Sequence, residues 1–243
     1  MALTDNIVAA WNFNESSGNA ADSSGNGWTL TNNNTVGYVA GLIGNAADFG
    51  ANPSNKYLSA ASGLGVTMGA GGAYSVMFWV KLKSEPGIGT QFRFLDWRST
   101  TGNDGYLFPD YRNASGTLRF NWAISGSSDI TYNVALGSTN WHQIIVTADA
   151  ANAALLYLDG TQIMSTTKGT FSANDNFFFG ITRELDSAQS ANCLLDMGAV
   201  WSRAITSSEV TQLYNGGAGL QYPFPTFTPG PMMHIMQMAG GIV

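Results

Sequence analysis

In the run Tyr74-Ser75-Val76-Met77-Phe78-Trp79-Val80-Lys81-Leu82, Val76, Phe78, Val80 and Leu82 fall on one side of an extended chain and Met77, Trp79 and Lys81 on the other. Successive side chains of a strand point to opposite faces, so a run apolar on both predicts a central strand of a sandwich. Similar runs recur at Ile7 to Phe13, Ala46 to Phe49, Gln91 to Trp97, Thr117 to Trp122, Trp141 to Thr147, Ala154 to Leu158, Phe177 to Ile181 and Leu194 to Trp201. Clusters of Gly, Asn, Ser and Asp separate them, the pattern of an all-β domain. The dipeptide Asp159-Gly160 between Leu155-Leu156-Tyr157-Leu158 and Thr161-Gln162-Ile163 marks a tight hairpin.

One helix is signalled. Thr206 and Glu209 have capping-box spacing, Ile205 and Val210 that of a hydrophobic staple, and Gly216-Gly217 provide the stop after Tyr214. Beyond Gln221 the pattern changes again: alternate prolines in Tyr222-Pro223-Phe224-Pro225-Thr226-Phe227-Thr228-Pro229-Gly230-Pro231 favour extended chain over helix. Met232, Met233, Ile235, Met236 and Met238 then form an apolar end too short to span a bilayer. The expected organisation is one domain over 1–220 and an arm over 221–243 that docks on a neighbouring subunit through Tyr222, Phe224, Phe227 and these five residues.

Composition agrees with the pattern. Charged residues make up 11% of the chain while there are 29 glycines, a balance that suits short strands and turns. The net charge of −6, with no Lys/Arg run, argues against nucleic acid as a partner. The single cysteine, Cys193, excludes an intrachain disulfide, and its place beside Leu194 and Leu195 predicts an inert core thiol. The opening Met1-Ala2-Leu3-Thr4-Asp5-Asn6 lacks the basic and apolar regions of a signal peptide.

The order of motifs, from Ala10-Trp11-Asn12-Phe13-Asn14-Glu15 and Asp22-Ser23-Ser24-Gly25-Asn26-Gly27 through Gly44-Asn45-Ala46-Ala47-Asp48-Phe49 and the hairpin above to Leu195 through Val210, resembles the laminin-G-like, concanavalin A-like jelly-roll family. The resemblance covers residues 1–220 and implies a jelly-roll sandwich of two antiparallel sheets, usually a binding or structural module. It also implies a structural calcium site, at Asp22, Asn26 and Asp196. The composition of the 22–27 loop equally suits an Asx-type turn without metal.

Catalytic parts are scarce. Glu184-Leu185-Asp186-Ser187-Ala188-Gln189 resembles the Glu-x-Asp-x-x-Glu strand of laminarinase-like glycosidases, but Gln189 stands where the acid is needed and an amide cannot donate that proton. The hexapeptide reads as a solvated loop. Of the two histidines, His142 lies in a predicted strand as a hydrogen-bonded structural residue and His234 in the arm. Glycan binding has better material: Trp97, Tyr106, Tyr111, Trp122 and Tyr132 interleave with Asp96, Arg98, Asp110, Arg112 and Asn113, and aromatic faces stack on sugars while polar side chains bond hydroxyls. Most of these aromatics are expected in the core; Tyr106, Tyr111 and Arg112 are expected to be exposed, and with Trp122 to form the site.

These features lead to the expectation of a non-enzymatic virion structural or decoration protein, of a tailed phage, with weak glycan adhesion. It would be made in the host cytoplasm and belong to an oligomer or larger assembly. The alternative is a carbohydrate-binding adhesion module of a bacterial surface or secreted system.

Overall fold

The computed structural model describes residues 1–60, 62–68, 71–98, 106–124, 130–138, 140–168, 176–182 and 184–225, the side chains of 98, 106–109 and 121–124 apart. Two eight-stranded antiparallel sheets pack face to face. Sheet 1 runs β14 (Thr161–Thr167), β13 (Ala153–Leu158), β12 (His142–Ala148), β6 (Tyr74–Leu82), β16 (Cys193–Trp201), β4 (Asn45–Asp48) and β3 (Gly37–Ala40), with β1 (Ile7–Trp11) paired to β16. Sheet 2 runs β11 (Ile130–Asn133), β10 (Thr117–Ile124), β9 (Tyr106–Ala114), β8 (Leu95–Arg98), β15 (Asn176–Phe179), β5 (Tyr57–Ala60) and β2 (Thr31–Asn33), with β7 (Gln91–Arg93) paired to β9. This is the jelly-roll sandwich that the motif order implies.

β6 lies between β12 and β16, and both of its faces are buried. Val76, Phe78 and Val80 face the inter-sheet core with Trp11, Phe94, Trp97, Phe120, Phe177 and Phe179. Met77 and Trp79 face outward into a second apolar cluster with Ile145, Ala199, Trp201, Val210 and Leu213. That cluster exists because α1 (Ser207–Tyr214) lies across the outside of sheet 1, Tyr214 stacking on Trp79 with ring centroids 5.8 Å apart. The helix begins as its sequence requires: Thr206 Oγ1 accepts the Glu209 N–H, and the Glu209 carboxylate accepts the Thr206 N–H. Glu209 also accepts two hydrogen bonds from the buried Arg203 guanidinium, at 2.6 and 2.9 Å. Burial alone would raise the Glu209 pKa, but the bonds from Arg203 and Thr206 outweigh it and hold the carboxyl below its ordinary value.

The tail departs from expectation at its start. Tyr222 and Phe224 pack on their own domain: Phe224 is buried and stacks on Trp201 at 6.0 Å, Tyr222 packs edge-on to Phe224, and Asn12 Nδ2 donates to the Tyr222 carbonyl at 2.7 Å. The reason is local supply, because sheet 1 offers an outward indole at Trp201 within reach of a chain emerging from the last helix. Phe227, Met232, Met233, Ile235, Met236 and Met238, with His234, lie outside the described residues.

Strand β9 is the largest addition to what the sequence pattern predicts. Pro109 and the flanking Asn and Asp residues read as loop, since proline interrupts a ladder. In the fold, β7 pairs with Asp110 to Arg112 and β8 with Tyr106 and Leu107, so Pro109 falls in the gap between the two partners on that edge. On its other edge β9 pairs with β10 throughout, closed by Ser115-Gly116, both with positive φ as a two-residue hairpin turn requires.

Candidate functional site

The registers of sheet 2 set two rows of polar residues side by side. In one, Gln91 of β7 opposes Arg112 of β9, Arg112 opposes Arg119 of β10, and Arg119 opposes Asn133 of β11. In the next, Arg93 opposes Asp110. Because the side-chain period of a strand is two, these residues share the face opposite to Phe92, Tyr111 and Phe120, which are buried in the core. The outward face of sheet 2 is thus charged where that of sheet 1 is apolar.

Asp110 organises this face. It is fully buried and accepts from Arg112 Nε at 2.9 Å and Nη2 at 2.6 Å, a two-point contact that fixes the guanidinium plane. Arg93 Nη2 lies 3.7 Å from the same carboxylate. Over Arg93 runs the segment 186–190, held by a parallel bridge between Arg93 and Ser190. Gln189 Oε1 accepts from Gln91 Nε2 and Arg93 Nη2, and its amide donates to Asp186 at 2.8 Å. The hexapeptide 184–189 is a loop as expected, ending in a 3-10 turn at Ser187–Gln189. It lies as a strap across β7, which half-buries Asp186 and Gln189. Without a strand, Glu184 and Asp186 lack the same-face spacing that a glycosidase pair uses.

Beside the strap, Thr90, Gln91, Arg112, Asn113 and Arg119 line an open cleft of about 170 Å³. Of the residues expected to bind glycans, Arg112 is therefore on the cleft, its side chain 25% exposed. Tyr111 is corrected: it is 0% exposed, its ring packs against Phe94 and Phe120, and its hydroxyl accepts the Leu136 N–H at 2.9 Å and donates to the Val134 carbonyl at 3.2 Å. Adjacent strand residues cannot both face solvent, so exposing Arg112 turns Tyr111 inward. Tyr106, opposite Arg98, and Trp122, opposite Pro109, have side chains outside the described set. Trp97 is core and Tyr132 is partly exposed.

Arg119 was not legible as a site residue. A signal existed: Arg112 and Arg119 flank Ser115-Gly116 symmetrically, so a two-residue hairpin there makes them cross-strand partners.

The three residues named for calcium have separate hydrogen-bond partners. Asp22 Oδ1 accepts from Ala10 N, Ser24 N and Ser24 Oγ, and its Oδ2 from Trp28 N, all within 2.7–3.1 Å. Burial opposes ionisation of Asp22, but these bonds outweigh it and lower its pKa. Asn26 donates to the Ile7 and Val8 carbonyls. Asp196 shares no partner with them: its Oδ2 accepts from Leu42 N and Ile43 N, its Oδ1 has no hydrogen-bond partner, and burial pushes its pKa up to about 7. Among the described residues no three His, Cys, Asp or Glu side chains group as metal ligands.

His142 is structural, as expected. Its Nδ1 lies 2.7 Å from Asp159 Oδ2 and its Nε2 2.9 Å from the Leu136 carbonyl. Both partners only accept, which favours the doubly protonated ring. The Asp159 bond accordingly raises its pKa, against the opposing effect of burial. Cys193 is fully buried, and its thiol pKa is pushed up by that burial.

A model of the concanavalin A-like lectin/glucanases superfamily matches residues 49–211, about two thirds of the chain. Among solved structures, domain 4 of the extracellular arabinanase AbnA from Geobacillus stearothermophilus, in complex with arabinotriose, is similar at a TM-score of 0.63 and 21% identity over 85% of this chain and 97% of that one. The binding domain of Paraclostridial Mosquitocidal Protein 1 matches at 0.62 and 17% identity, over 89% of this chain and 53% of that one. The botulinum neurotoxin serotype G binding domain matches at 0.65 and 15%, over 87% and 51%. The chain spans about half the length of these toxin domains, and at such identities the likeness is one of fold. No curated protein matches the chain in sequence.

Proposed function

Because the chain belongs to the concanavalin A-like lectin/glucanase superfamily, we propose that it is a non-catalytic carbohydrate-binding module whose ligand sits in the cleft over β7, β9 and β10. The observation that carries this reading is the row Gln91–Arg112–Arg119 on the open face of sheet 2, bordering a cleft of the size of one sugar ring. Its small volume suits weak, single-residue recognition. A larger groove of about 340 Å³ lies between β13 and the start of α1, but two of its polar side chains serve the fold: Asp149 accepts the Ala153 N–H and Thr206 caps the helix. Gln189 in place of a proton-donating acid, and its role in holding the strap, support a binding rather than a hydrolytic use of this face.

The structurally similar arabinanase domain, whose structure is in complex with arabinotriose, has nearly the length of this chain and supports the same use of the fold. The virion setting expected from the sequence depends on the arm, of which residues 226–243 lie outside the described residues. A glycan array read with the full chain and with Arg112→Ala tests the proposal. Binding by the parent that falls below detection in the variant is the expected result; silence of the parent at high protein concentration rules out the carbohydrate reading.

A further inference from the structure

Resting on that reading, we propose that the saccharide is acidic and that Arg112 and Arg119 together hold its carboxylate. The two guanidinium side chains stand directly opposite each other on adjacent strands, an arrangement in which like charges repel and destabilise the pair. The chain as a whole has only 10 Lys and Arg and a net charge of −6. Concentrating positive charge on one rung therefore runs against its overall balance.

The counter-charge within the two rows is a single carboxylate. Asp110 accepts two hydrogen bonds from Arg112 and lies 3.7 Å from Arg93, so it is already in use. Arg119 has no ion pair among the described residues, and its Nε is buried without a hydrogen-bond partner. Among the described residues no acidic side chain lines the cleft. An anion between Arg112 and Arg119 would convert their repulsion into two attractions.

The neutral side chains narrow the ligand further. Thr90 Oγ1 donates to the Gly87 carbonyl at 2.7 Å, and Asn113 donates to Pro86 and accepts from Gly116, so both are committed to the loops that carry them. The guanidinium groups dominate what the cleft offers. Asp110 occupies Arg112 Nε and Nη2 and fixes the plane of that guanidinium, so a planar carboxylate would meet its Nη1 side together with Arg119. The class that fits is a carboxylated sugar, such as a uronic acid residue of a polysaccharide.

Affinity electrophoresis of the full chain through gels containing polygalacturonate, its methyl ester, a neutral arabinan or heparin separates the possibilities. The expected result is retardation by polygalacturonate, little by the ester or arabinan, and about tenfold weaker binding of Arg119→Gln and Arg112→Gln with unchanged circular dichroism. Equal retardation by polygalacturonate and its ester would overturn the acidic assignment while leaving carbohydrate binding in place. Heparin binding at least as tight, with no preference for the carboxylate polymer, would overturn the carboxylate in favour of a general anion. Retardation by none of the four would overturn this inference, and silence on the glycan array as well would remove the carbohydrate reading beneath it.

Discussion

The outer faces of the two sheets are built on the same backbone geometry and carry opposite chemistry. On sheet 1, Met77, Trp79, Ile145, Ala199 and Trp201 point away from the sandwich and are buried a second time by α1, Leu3 and Phe224. On sheet 2, Gln91, Arg93, Asp110, Arg112 and Arg119 lie on the outward side; Arg93, under the strap at 186–190, and Asp110 are buried, and the other three are partly exposed. An apolar outer face must be sealed to avoid a large exposed patch, so its residues are committed to stability. On sheet 2, Gln91, Arg112 and Arg119 keep contact with solvent, which is why the proposed ligand site is placed there.

If that division holds, variants on the sealed face should move stability and spare binding. The largest effect is expected from Phe224→Ala, which removes a buried ring stacked on Trp201 and should cost about 3–5 kcal/mol in urea unfolding. Polysaccharide retardation measured well below the melting point should be unchanged. A loss under 1 kcal/mol would show that the chain end is not part of the seal and would restore an arm beginning at 221.

A smaller effect is expected where the two regions join. His142, at the start of β12 in sheet 1, ties the Asp159-Gly160 hairpin to Leu136 in the segment leading from β11 of sheet 2. Its folded pKa lies above the ordinary 6.5, so the stability it contributes is fully present below pH 6.5 and is lost as pH rises through the folded value. The melting temperature of the parent should therefore fall over that window relative to His142→Gln, by the equivalent of about 1 kcal/mol. Parallel pH curves for the two proteins would contradict a charged His142.

The smallest stability change belongs to the open face. Arg119→Gln relieves a like-charge pair and should leave the melting temperature unchanged or raise it, by no more than about 0.5 kcal/mol in stability, while weakening saccharide binding. A marked destabilisation would place Arg119 with the structural residues and blur the distinction between the faces.

What the sequence by itself determined is local or periodic. The two-sided apolar run of β6, the Asp159-Gly160 turn and the Thr206–Glu209 capping box each depend on residues within a few positions of one another, and each occurs as the chain spells it. The same period of two could have turned Tyr111 inward once Arg112 was placed outward, had 106–114 been recognised as a strand. Tertiary structure decided the rest. Whether Pro109 sits in a ladder depends on two different partners ending beside it, and whether Gln91, Arg112, Arg119 and Gln189 meet depends on pairings across as many as 98 positions of chain. Phe224 finds Trp201 because α1 brings the chain back over sheet 1. Such meetings are set by how the packed core selects register among distant strands, information that no window of the sequence contains.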